Sequence, residues 1–198
     1  MSNVIVLSQS KLETNSDLWE IVDADGERVL QIVGNRKVDL VSGKIALFDE
    51  PRCNYTMSAD MRFLGHHLLE GSGGWFGFAV RARDELNYEL VWFMPLAEKN
   101  GTVAYLSVAH GIVPWWTEAY STQQKGGPTI PANDWFRARV DVIGDELSIY
   151  VENEFVFTKK LTYYLSEGCP GLYVGTATDA AFRRIEIDDL IEDKVHGT

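Results

Sequence analysis

Three stretches of this sequence gather residue types that can do chemistry. The first is His110-Gly-Ile-Val-Pro-Trp115-Trp116-Thr-Glu118-Ala-Tyr120, followed closely by Gln123, Gln124 and Lys125. A proline breaks the strand pattern there, and two adjacent tryptophans on an extended chain point to opposite sides. At least one of Trp115 and Trp116 is therefore expected at a surface or in a cleft. An exposed indole can stack on the C–H face of a sugar, and burying such a ring is worth on the order of 1–3 kcal/mol. Glu118 and His110 are acid/base candidates beside it, with Tyr120 as a polar contact. The bland alternative is that both rings cap the edge of the fold.

The second stretch runs from Trp75 to Glu89. Phe76, Phe78, Val80 and Ala82 alternate with Trp75, Gly77, Ala79, Arg81 and Arg83. The first set reads as core. The second reads as a surface floor for a ligand. Across the turn at Asp84 to Asn87, Tyr88 and Glu89 follow on the partner strand, where cross-strand pairing could place Glu89 near Arg81. Glu89 is the candidate acid/base, with Arg81 and Arg83 orienting a hydroxyl or carboxylate. A plain Arg81–Glu89 surface ion pair is the competing reading.

The third stretch is Glu186-Ile-Asp188, with Glu192 beyond it. It is similar to the alternating acidic strand of bacterial β-glucanases, whose carboxylates share one face. The last spacing is one residue too long, so solvated charge is expected. Gly-x-Ser-x-Gly, phosphate-loop and dinucleotide turns are missing. His66-His67 and the cysteines Cys53 and Cys169 lack metal-ligand spacing, so neither a metal nor a cofactor is expected. The cysteines are expected as reduced thiols.

The elements that must hold these residues read as strands. Gly- and Asn/Asp-rich punctuation recurs between short runs rich in Val, Ile, Phe, Tyr and Trp. Tyr55 to Phe63, Tyr88 to Met94, Val103 to Ala109, Trp135 to Ile143, Glu146 to Val151, Gly171 to Thr176 and Phe182 to Leu190 are among them. Roughly a dozen strands predict an all-β, two-sheet antiparallel sandwich, in one domain over residues 1–198. A sequence of 198 residues with 45% hydrophobic and 24% charged content can build that core. A formal charge of −11 argues against nucleic acid and anionic membranes as partners. No apolar run reaches the about 18 residues of a membrane span. No signal peptide opens the sequence as it stands, which points to the cytoplasm, or to secretion if a leader precedes it.

Four segments carry a family resemblance. They are Trp19 to Leu30; Trp75 to Arg81 with Asn87 to Val91; Asn133 to Val142 with Leu147 to Val151; and Gly171 to Gly175 with Phe182 to Ile187. Together they resemble the concanavalin-A-like lectin/glucanase superfamily, and within it the 3-keto-disaccharide hydrolase domain family. The resemblance implies a jelly-roll sandwich and a sugar held on the concave sheet. It also places the glutamate that follows the family's hairpin tyrosine at Glu89. The leading expectation is thus a glycoside hydrolase acting on an oligosaccharide or keto-sugar. A non-catalytic carbohydrate-binding module and a polysaccharide lyase are the alternatives. A third reading is self-association as a homodimer through an aromatic edge.

Overall fold

The structure is a computed structural model that describes residues 12–24, 26–36, 43–68, 74–96, 99–112, 120–121, 129–162 and 165–190. Fourteen strands lie among them: β1 (Leu12–Thr14), β2 (Trp19–Ala24), β3 (Glu27–Ile32), β4 (Lys44–Phe48), β5 (Tyr55–His66), β6 (Phe76–Asp84), β7 (Asn87–Leu96), β8 (Lys99–Val108), β9 (Tyr120–Ser121), β10 (Phe136–Ile143), β11 (Glu146–Val151), β12 (Glu154–Lys160), β13 (Cys169–Val174) and β14 (Thr178–Asp189). They form two seven-stranded antiparallel sheets. One has the order β1-β4-β13-β6-β7-β8-β9, the other β12-β11-β10-β5-β14-β3-β2. No helix among the described residues is long and apolar enough to cross a membrane.

Alternation explains why these residues face one another. In β10, Phe136, Ala138, Val140 and Val142 are buried while Arg137, Arg139 and Asp141 stay half-exposed. The strand turns back at Gly144-Asp145, where Ile143 faces Glu146 and Gly144 takes a left-handed φ of 56°. Between the sheets, Phe76 and Phe93 of one meet Phe136 and Phe182 of the other. Phe93–Phe136 centroids are 5.6 Å apart and Phe76–Phe182 centroids 6.3 Å. Each buried Phe contributes about 1.5–3 kcal/mol, and each ring pair about 0.5–1.5 more.

Two departures from simple alternation matter. Arg81 sits in the left-handed region at φ 46°, where the β6–β7 register shifts after Val80. The bulge reverses the pattern. Ala82, expected in the core with Val80, instead joins Ala79 on the outer side of the sheet. That outer side is itself a second apolar cluster. Tyr88, Leu90, Trp92, Leu106 and Tyr173 are all buried there.

The outer face of the other sheet is polar and self-paired. The Arg137 fork reaches Asp60 at 3.1 Å and Glu186 at 2.6 Å. Arg183 pairs with Glu27 at 2.9 Å and lies 4.3 Å over the Trp135 ring. Arg139 lies 3.9 Å over Tyr150. These cations are committed to cross-strand neighbours, as in a stabilising ladder. Glu186, from the acidic alternation of β14, belongs to this ladder.

Candidate functional site

The register divides the sequence candidates between two ends of the sandwich. At the β6–β7 turn end stand Arg81, Arg83, Tyr88, Glu89 and His110. At the other end stands Trp75, beside Phe76, Val174 and Lys44, which are register partners.

At the turn end, Glu89 does not lie on the outer floor. It shares a side with Val91 and Phe93, faces between the sheets, and is 1% exposed. Val80, not Arg81, is its register partner on β6. Its carboxylate accepts the Tyr105 hydroxyl at 2.7 Å and the Ser107 hydroxyl as well. The Tyr105 oxygen in turn accepts the Thr162 amide at 2.8 Å. Burial, and then the Glu89 charge, push the Tyr105 phenol up to about 12. The phenol therefore stays protonated and keeps donating to Glu89. This arrangement ties Thr162 to the sheet end and leaves the carboxylate almost wholly buried.

Arg81 is likewise a brace. It is 1% exposed, and its guanidinium donates to the carbonyls of Leu165 and Cys53, each at 2.6 Å. Its amide donates to the Tyr55 phenol at 3.1 Å, and burial raises that phenol's pKa. The expectation of a ligand-facing Arg81 fails because the bulge turns it inward. Tyr88 is buried 6.3 Å from Tyr173, and burial lifts its pKa well above the ordinary value. Arg83 is exposed beside the turn. His110 is exposed at φ 53°, its amide donating to Asn87 Oδ1 at 3.1 Å. Trp115, Trp116 and Glu118 lie outside the described residues. Tyr120 is placed only by its backbone, opposite Tyr105.

The opposite end carries an open cavity of about 710 Å³. Asn15, Ser16, Asp17, Gly34, Arg36 and Lys44 line it. None of these was singled out from sequence. The Asn15-Ser16-Asp17 run between two strands is the signal that could have found them, because such residues cap and shape loops. The walls are fixed by specific bonds. Asn15 Oδ1 accepts the Ile45 amide at 2.8 Å, and its Nδ2 donates to the Gly43 carbonyl at 3.2 Å. Asp179, 5% exposed, accepts the amides of Gly34 and Asn35, each at 2.9 Å. Asn35 Nδ2 donates to the carbonyls of Gly175 and Thr178.

The adjacent histidines take separate roles behind this wall. His67 Nε2 lies 2.8 Å from Asp179 Oδ2. His66 lies 3.3 Å from Thr178 Oγ1 and packs on half-buried Trp75 with centroids 5.5 Å apart. Burial, then the charge of His67, lower the His66 pKa. Among the described residues no His, Cys, Asp and Glu cluster could hold a metal ion. Lys44 is two strand spacings from Phe76, about 10 Å across the sheet, and Trp75 precedes Phe76 in the chain. The cavity thus combines hydroxyl and amide groups with charged side chains of both signs, and half-buried Trp75 lies at the same end of the sandwich. That mixture suits a hydrophilic ligand with apolar C–H faces.

The chain shares its fold with solved structures. It is similar to the carbohydrate binding module CBM66 from Bacillus subtilis, with TM-score 0.65 and 19% identity, covering 96% of this chain and 99% of that one. It is also similar to a β-glucanase of Bacillus licheniformis, with TM-score 0.57 and 10% identity, over 96% and 97% of the two chains. An alginate lyase in complex with alginate tetrasaccharide matches with TM-score 0.54 and 11% identity, over 88% of this chain and 86% of that one. No family model matches, and no curated protein matches. At these identities the likeness defines the fold. The chain is an all-β, concanavalin-A-like jelly-roll sandwich.

Proposed function

We propose that this chain is a carbohydrate-binding module that holds an oligosaccharide in the cavity at the Trp75 end and does not cleave it. The observation that carries this reading is the cavity itself. Its volume, about 710 Å³, suits a short saccharide. Its described lining offers amide, hydroxyl and charged groups, with Asp17 as the one carboxylate among them. Glycoside hydrolysis ordinarily needs two carboxyl groups flanking the scissile bond. Glu89, the residue the hydrolase resemblance marks, is sealed in the core by Tyr105 and Ser107. The similar solved structures include a binding module alongside a glucanase and a lyase, so the fold is compatible with all three readings. In this reading Trp75 is the described indole at this end of the sandwich, and Trp115 and Trp116 are stacking candidates on sequence grounds alone.

Native mass spectrometry against neutral, uronate-containing and 3-keto oligosaccharides tests the proposal. Intact sugar held without turnover is expected, with weaker binding in Trp115→Ala or Trp116→Ala. Product masses would refute it. Addition of water would identify a hydrolase, and products without added water a lyase. Loss of those products in Glu118→Gln would then assign the acid/base.

A further inference from the structure

Two cations share the cavity wall. The protein carries 29 acidic and 18 basic residues. On the polar outer face, Arg137, Arg183 and Arg184 each hold carboxylates within ion-pair distance. Arg52 does the same with Glu50 and Asp189, and Lys160 with Asp145. Arg36 and Lys44 line the cavity, and neither takes an ion-pair partner among the described residues. Asp17, on the same wall, is also unpaired there.

The backbone under these cations is held firmly. The Asp179 carboxylate fixes Gly34 and Asn35, immediately before Arg36. Lys44 opens β4, where the Asn15 side chain clips the neighbouring Gly43 and Ile45. Two positive side chains are thus presented from rigid supports to one open space, in a protein whose overall field is negative. Such a pair has the charge and reach to receive an anion. A planar guanidinium takes a carboxylate through two parallel hydrogen bonds, and an ammonium adds a point charge.

We infer that the ligand of this cavity is an anionic sugar, its charged group held by Arg36 and Lys44. This deepens the carbohydrate-binding reading and rests on it. The anionic group is a uronate carboxylate or a sulfate ester, which share this chemistry. The hydroxyl of Ser16 and the Asp17 carboxylate are placed to meet ring hydroxyls. Net negative charge sharpens the site, because an anionic chain is repelled by the protein as a whole and attracted where these two cations meet.

The test is calorimetric titration of the full chain with three matched ligands: a short oligogalacturonate, its carboxyl-reduced neutral counterpart, and a sulfated galactan oligosaccharide. The acidic ligands are expected to bind at least about tenfold more tightly than the neutral one, and more weakly as salt rises. Arg36→Gln and Lys44→Gln should each remove most of that margin, because the acidic ligands lose more affinity than the neutral one. Lys160→Gln, at the opposite end, should leave all three titrations as they are. Preference for the oligogalacturonate assigns a uronate, and preference for the sulfated ligand assigns a sulfate ester. Equal binding of charged and neutral sugars, or full acidic-sugar affinity in Arg36→Gln, overturns the inference and leaves the sugar-binding reading standing. Binding of none of the three overturns both.

Discussion

Replacing Asp179 with alanine removes a carboxylate that serves three donors at once. The Gly34 and Asn35 amides donate to it at 2.9 Å each, and the His67 ring nitrogen lies 2.8 Å away. Bonds to a buried charged acceptor contribute about 1.5–3 kcal/mol each, and an orphaned buried amide costs about 1–3 kcal/mol. Asn35 is 1% exposed, so its amide has no ready access to water. Gly34 is exposed and can recover a water, which limits the total. The expected loss is about 3–5 kcal/mol, or roughly 6–20 °C in Tm for a domain of this size. Asp179→Asn keeps one acceptor oxygen and should lose about 1–2 kcal/mol. Urea denaturation followed by tryptophan fluorescence measures both, provided m is unchanged between parent and variants. Because the freed segment carries Arg36, Asp179→Ala should also lower affinity for an acidic sugar. A loss below about 1 kcal/mol in Asp179→Ala would refute the claim that this carboxylate holds the cavity wall.

Three further outcomes are expected. Glu89→Gln should cost about 1–3 kcal/mol in chemical denaturation, since the neutral amide is a weaker acceptor for Tyr105 and Ser107, while oligosaccharide affinity stays within about twofold. Loss of a turnover reaction in that variant would restore Glu89 as a catalytic group. Gly77→Ala should destabilise by about 3 kcal/mol or more, because its Cβ would fall 2.1 Å from the Val91 carbonyl oxygen and one strand must move. An unchanged unfolding midpoint would show that the β6–β7 pair is looser than described. His66 has a lowered pKa in the folded state, so the unfolded chain binds more protons just below the ordinary histidine range. Stability should therefore fall as pH drops from about 7 to about 5, and His66→Gln should flatten that slope in thermal melts. Identical slopes in parent and variant would exclude this ring as the source.

The sandwich was legible because alternation repeats. Trp135 to Ile143 and Glu146 to Val151 read as strands in the sequence, and β10 and β11 fall within those bounds, with Phe136, Ala138, Val140 and Val142 alternately buried. The parity of Glu89 was not legible. In β7 both faces are apolar, with Val91 and Phe93 on one side and Leu90 and Trp92 on the other. A strand buried on both sides carries no polar face to mark which residue points where. Arg81 misled for a different reason. Its left-handed φ breaks the alternation, and arginine gives no local sign of that conformation. The cavity was hidden because its wall is made by contacts between residues far apart in sequence. Asp179 meets Gly34 across 145 positions, and no local pattern encodes such a pair. The residues Trp115, Trp116 and Glu118 remain chemical candidates on sequence grounds.

The last two strands have a consequence for how this chain is made. β13 lies between β4 and β6, and β14 lies between β5 and β3. Until residues 169–189 have emerged from the ribosome, each sheet exists as two separate pieces. On one side the β1–β4 pair has no neighbour, and on the other the β2–β3 hairpin has none. Both pieces then present open strand edges, the surfaces most prone to wrong pairing during synthesis. Closure of both sheets therefore waits for β13 and β14, which act as two wedges. Nascent chains stalled before Cys169 should stay soluble only with chaperone protection.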